Sequence, residues 1–228
     1  MRLLFEKQLR HYILLAVLLA AVIAVSRREG FAAGSVGGVS TAAWFYLALA
    51  AAVGHQIYVW FCWRTQLHSS LVTRILGKNA FNYYAAGFIF FMLFRGSMIL
   101  LLAIANRNTL DIERLLLTVL AVVIAVPVLY VHYSVVRHFG FRRAMGIDHF
   151  DPSYRGAPLV KKGIFRFTNN AIYTYGLLVL WIPGLAFGSR AALLAALFHH
   201  IYIWVHYYTT EKPDMARIYG VAKNQRPG

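Results

Sequence analysis

The sequence is poor in charge, poorer still in acid, and almost free of cysteine. Of its 228 residues only 14% are charged, and Lys and Arg outnumber Asp and Glu by 23 to 8. Cys62 is the one cysteine and lies inside an apolar run, so no disulfide can form within the chain, and thiol usage does not fix the compartment. A small buried residue is the ordinary role for such a thiol. There is no Gly-rich phosphate loop, no Cys cluster and no internal repeat, absences that argue against nucleoside-triphosphate-driven transport. What fills the chain instead is apolar: 60% of residues are hydrophobic, above the range of an ordinary soluble domain. This composition indicates an integral membrane protein, and with no linker in view residues 1–228 form a single membrane domain.

Six apolar runs follow one another: Ile13 to Val25, Ala42 to Trp63, Phe81 to Ala105, Leu115 to Val136, Ala171 to Phe187 and Ala191 to Tyr208. Most are long enough to cross the roughly 30 Å hydrocarbon core as helices. The first resembles a signal peptide, with Ala24, Val25 and Ser26 as small residues at its end, but Arg27 and Arg28 directly behind them disfavour cleavage. It reads as a retained, rather short span. Four glycines between Arg27 and Thr41 mark a loop. The expected fold is therefore all-α, a polytopic bundle of about six transmembrane helices, with residues 1–136 holding the first four.

Charge sets the orientation. Segments 1–11, 64–80, 137–170 and 209–228 carry net charges of +2, +3, +5 and +2, while the alternate segments 26–41, 106–114 and 188–190 carry +1, 0 and +1. The positive-inside rule puts the first group in the cytoplasm, both termini included. Because the charges flank apolar runs and build no separate module, the formal +15 points to an anionic lipid surface and not to nucleic acid. The long loop before the fifth run fits that reading. Phe139, Phe141, Phe150, Tyr154, Phe165 and Phe167 interleave there with seven Lys and Arg residues, a mixture suited to the headgroup layer.

That loop leads into a hairpin of two apolar runs. Gly163-Ile-Phe-Arg166 precedes Asn169-Asn170-Ala171-Ile172-Tyr173, and Glu211-Lys212-Pro213 closes the hairpin ahead of Ile218-Tyr219-Gly220. In this order and separation the segment resembles the membrane methyltransferases that act on phosphatidylethanolamine and on isoprenylcysteine carboxyl groups, and it lies nearer the phospholipid branch. The resemblance covers roughly residues 140–220. Departures from the family pattern are Ala171 in place of proline, no Arg-His before it, Tyr173 and Gly176 one residue further apart, and Lys212 in place of a second acid.

The resemblance implies that residues 137–228, loop, hairpin and tail, form the catalytic part, with a cytoplasmic cap that binds a cofactor. It implies transfer of a methyl group from S-adenosylmethionine to a lipid headgroup amine, such as phosphatidylethanolamine or its methylated derivatives on the way to phosphatidylcholine, in a bacterial inner membrane or the endoplasmic reticulum. Glu211, Tyr173 and His200 are the expected catalytic residues. Gly146, Ile147, Asp148, Asn169, Asn170, Tyr173, Glu211 and Lys212 are expected around the cofactor, and Arg95, Trp204 and Tyr207 around the lipid. Glu211 could otherwise be an interfacial charge paired with Lys212 or Arg217. On helical spacing His200, Trp204, Tyr207 and Glu211 share one stripe, and His199, Tyr202 and His206 another. Histidines within a span face a bundle or cavity; with no Asp, Glu or Cys cluster beside them, no metal is expected. Arg95 and His132 are further polar residues within spans, and His55 and Gln56 suit helix–helix hydrogen bonding. Competing functions are an isoprenylcysteine-type carboxyl or small-thiol methyltransferase, an NADPH-dependent sterol-type reductase, disfavoured by Leu177 after Gly176, and a non-enzymatic transporter.

Overall fold

The computed structural model describes residues 2–220, and helices make up nearly all of it. Helix α1 spans Gln8–Ser26. The glycine-rich loop that follows contains a two-stranded hairpin, β1 (Ser35–Val36) paired antiparallel with β2 (Val39–Ser40). Gly37 and Gly38 form its turn with φ of 59° and 75°, the left-handed geometry that two-residue hairpins require. Ser40 then caps α2 (Thr41–Ser69), its hydroxyl accepting from the Ala43 amide. At 29 residues α2 is about 43 Å long, so its last turns reach beyond the roughly 30 Å apolar core. Those turns carry Trp63 and Arg64.

Short α3 (Leu71–Leu76) turns the chain into α4 (Ala80–Ala105). After it comes α5 (Arg114–Ser134), which runs on into a π-helical turn over Val135–Phe139. Together, α1, α2, the α3–α4 unit and the extended α5 are four helices long and apolar enough to cross a membrane. Their outer faces fit that medium: Ile13, Val17, Phe90, Leu93, Val122 and Val126 are all exposed. Small residues fill the interior. Ala48 and Ala52 of α2, and Ala191, Ala192, Ala195 and Ala196 of the sixth apolar run, are completely buried, letting neighbouring backbones approach closely.

The fifth apolar run is not one continuous helix. It divides into α7 (Ala171–Thr174), a 3₁₀ turn over Gly176–Leu180 and α8 (Trp181–Phe187), the loop before it having formed one further short helix, α6 (Phe141–Ala144). Pro183 lacks the amide that a regular helix would return to residue 179. Within a bilayer such a break is tolerated where it lines a cavity, and Gly176, Leu177, Val179 and Leu180 do line one. The sixth run is α9 (Arg190–His206), extended by a π-helical turn over Tyr207–Glu211 and then by α10 (Lys212–Tyr219).

Connecting segments gather at two ends. At one, buried Asn106 donates to the carbonyls of Phe31 and Ala33 and accepts from Ser189 Oγ and the Ala191 amide, drawing together the three segments of low charge. At the other, Arg64 ties the first residues of the chain to its tail by donating to the carbonyls of Leu3, Thr209 and Thr210. His11 of α1 completes that junction, bonded to Thr209 Oγ1 and Tyr202 Oη at 2.9 Å each.

Candidate active site at the basic end

A cavity of about 170 Å³ lies at the basic end between the long loop, the start of the fifth segment and the tail. One wall is Trp63 of α2. Gly146 lies directly on the indole with φ of +86°, and a Cβ there would come within 2.5 Å of the ring, so only glycine lets the loop settle this low. The loop then turns back to stack His149 on the same indole, ring centroids 4.2 Å apart and nearly parallel.

From His149 a chain of charged contacts runs in two directions. Its Nδ1 lies 3.0 Å from Asp148 Oδ1, and Asp148 Oδ2 accepts from Tyr219 Oη at 2.7 Å. Arg143 donates to that same phenol. On the other side His149 Nε2 approaches Asp214 Oδ2 at 3.7 Å, and Asp214 pairs with Arg64 at 2.9 Å. Burial alone would lower the His149 pKa, but its bonds to Asp148 and Asp214 overcome this and raise it to about 9. Burial likewise acts to raise Asp148, and the hydrogen bond and charge of His149 prevail, holding it below the usual range. The pair is therefore an imidazolium and a carboxylate at neutral pH.

Glu211 faces the same cavity from the π-helical turn. Such turns insert one extra residue and re-aim the side chains that follow. Tyr173 Oη donates to Glu211 Oε2 across the cavity. Burial raises the Glu211 pKa and the Tyr173 bond opposes it; the result is about 7. The carboxyl group thus sits near its midpoint at neutrality, where a proton acceptor is most useful.

Of the residues singled out from sequence, Gly146, Asp148, Asn169, Asn170, Tyr173, Tyr207 and Glu211 line this cavity. Others lie elsewhere. Ile147 packs beneath the loop with Trp63, Phe81, Tyr84 and Cys62. Lys212 is exposed, its ammonium 5.3 Å above the Tyr208 ring. His200 accepts from Trp181 Nε1 at 3.2 Å and lines neither this cavity nor the groove described below. Trp204 stands edge-on behind Tyr173 and Tyr207. Arg217 does not pair with Glu211; it binds Glu6 and Asp214. In the loop, Phe139 and Phe165 stack on each other inside and Phe150 packs on Tyr84, whereas Phe141 and Phe167 are exposed.

A second, larger cavity adjoins the first. It is an apolar groove of about 440 Å³ between α4, α5 and the broken fifth segment. Ala144 and Ile172 line both spaces, so one wall separates the polar chamber from the greasy one. Arg95 and His132 are the polar residues on the groove's lining. No group of three or more His, Cys, Asp or Glu side chains suited to a metal occurs among the described residues.

Sequence reasoning passed over His149, Asp214, Arg64, Trp63, Arg143 and Tyr219. Tyr219 belongs to the tail motif, Asp214 directly follows its Glu211-Lys212-Pro213 element, and His149 is the neighbour of Asp148. Arg64 gave no local signal, since its partners, Leu3 and Glu6 on one side and Thr209, Thr210 and Asp214 on the other, all lie far from it along the chain.

Residues 115–222 match the family model described as phospholipid methyltransferase, a segment that takes in the fourth span, the long loop, the hairpin and the tail. No curated protein and no solved structure matches the chain. The resemblance drawn from the loop and hairpin therefore extends to this matched segment, and the apolar helices make the chain an integral membrane protein.

Proposed function

We propose that this chain, with the phospholipid methyltransferase pattern in its C-terminal segment, methylates the amine of a phospholipid headgroup using S-adenosylmethionine, at the cytoplasmic surface of its membrane. The observation that carries this reading is the Tyr173–Glu211 pair facing a polar cavity that shares a wall with an apolar groove. A water-soluble donor and a lipid acceptor need two such spaces side by side.

The donor set of the polar cavity suits the cofactor. Glu211 offers a carboxylate for an ammonium or ribose hydroxyls, Asn169 and Asn170 offer amides, and Trp63 and Phe165 offer ring surface. The bound cofactor supplies a methyl group made electrophilic by its sulfonium. The protein's part is to hold two substrates in line, which alone accounts for a large share of such a rate enhancement. An ammonium cannot attack, so the headgroup must first lose a proton. Glu211 is placed to take it, being half ionised near pH 7 and oriented by Tyr173. Transfer would leave the nitrogen as a substituted ammonium and the donor sulfur as a neutral thioether, so the proton taken from the headgroup beforehand would be the one released per methyl group.

Labelled methyl transfer from S-adenosylmethionine into phosphatidylethanolamine, with the purified protein in lipid nanodiscs, tests this. Transfer that Glu211→Gln abolishes is the expected result. Binding of NADPH with no transfer supports the reductase instead, and binding of neither cofactor supports a transporter.

A further inference from the structure

We infer that Arg95 is an anion receptor inside the membrane, and that it takes the phosphodiester of a lipid whose chains occupy the apolar groove. This deepens the methyltransferase reading and rests on it for the identity of the substrate, though the binding site stands on its own geometry.

The first observation is a charge without a countercharge. Arg95 lies in the middle of α4 and is only 7% exposed. Its Nε and Nη2 donate to His199 Nδ1 at 3.2 Å, and its Nη1 contacts His55 Nδ1 at 3.1 Å. No Asp or Glu pairs with it among the described residues. Both imidazoles present a lone pair to the guanidinium and so are neutral. His199 carries its proton on Nε2, which donates to the Ala48 carbonyl at 2.9 Å. A desolvated cation held only by neutral acceptors costs several kcal/mol, and no carboxylate among the described residues offsets it.

The second observation is where this cation sits. Arg95 is part of the lining of the 440 Å³ groove, together with Met92, Val131, Gly176 and Leu180. An anion can therefore reach it only along an apolar path, which selects a lipid over a water-borne ion. A guanidinium is also the side chain best matched to phosphate oxygens. Ile172 and Ala144 border both spaces, so a lipid in this groove lies against the wall of the chamber that holds Tyr173 and Glu211. Arg95 also lies outside residues 115–222, so the family pattern does not account for it.

Binding and turnover give separate tests. Phosphatidic acid, which has the phosphate but no amine, is expected to bind the wild-type protein in nanodiscs and to raise the apparent KM for phosphatidylethanolamine several-fold. Diacylglycerol and inorganic phosphate are expected to do neither. Arg95→Met, close in length and without charge, is expected to weaken phosphatidic acid binding and lower kcat/KM for phosphatidylethanolamine at least tenfold. It should leave S-adenosylmethionine binding, and methylation of a long-chain amine without phosphate, unchanged. Equal losses on both acceptors, or equal binding of phosphatidic acid and diacylglycerol, overturn the anion site while leaving the enzyme reading in place. Wild-type protein that binds phosphatidic acid through Arg95 but methylates no amine keeps the site and removes the methyltransferase reading. If Arg95→Met does not fold, the wild-type competition series decides alone.

Discussion

Arg64 and Arg95 are both buried in this bundle, at 1% and 7% exposure, but their surroundings are opposite. Arg64 is charge-paired. Asp214 lies 2.9 Å from its Nε, Glu6 lies 3.7 Å from Nη1, and three backbone carbonyls accept from Nη1 and Nη2. Arg95 has two neutral imidazoles and an open groove. The acids repeat the contrast. Asp214 is completely buried against Arg64, whereas Glu211, three residues earlier, faces a cavity with one tyrosine for company. A polar group whose needs are met within the chain holds the fold together; one whose needs are unmet is available to a ligand.

Removing one member of the paired set should do the greatest damage to stability. Arg64→Met takes the nearest cation from buried Asp214, leaving it Arg217 at 3.4 Å and His149 at 3.7 Å, and is expected to cost about 3–5 kcal/mol, seen as loss of the folded peak in detergent size-exclusion chromatography. Arg95→Met removes an uncompensated charge and should hold or raise the melting temperature; equal destabilisation by the two substitutions would erase the distinction. Glu211→Gln sharpens the acidic half of the contrast. It is expected to lower turnover by about 10²–10⁴-fold, as for loss of a general base, with the protein still folded, whereas Asp214→Asn should fail at folding.

Smaller effects follow from pH and from glycine. The wild-type rate should climb through a midpoint near pH 7, because Glu211 accepts a proton only once ionised. The same raised pKa means that burying the carboxylate disfavours the fold above pH 7, so Glu211→Gln should raise the melting temperature more at pH 8 than at pH 6. His149 acts with the opposite sign. Its pKa is raised to about 9, so its contribution to stability is fully present below about pH 6.5 and is lost as pH rises through 9. A His149→Gln protein should show a flatter stability profile across that window. Gly146→Ala should cost about 1–3 kcal/mol through its positive φ and the contact with Trp63, measured as a drop in melting temperature.

The helical bundle was legible because hydropathy is a local property: some twenty consecutive residues decide whether a segment enters lipid. The grouping of connecting segments at two ends, read from alternating charge, agrees with the junctions at Asn106 and Arg64. Tyr173 and Glu211 could be brought to one end of the bundle because each flanks a run of the same hairpin. The break in the fifth run was not foreseen. Pro183 and Gly176 carry that signal, but a run of apolar residues masks it until the groove beside it is seen.

The sequence by itself determined that this chain is a multi-span membrane protein with a basic end and a tail that carries Glu211 and Asp214, since partition into lipid depends only on what each stretch contains. Tertiary structure alone decided which charges are spent on the fold and which are left open. Asp214 finds Arg64 across some 150 positions while Arg95 finds no acid among the described residues, and the energy of a buried charge depends on what stands within a few ångströms of it, in space and not along the chain.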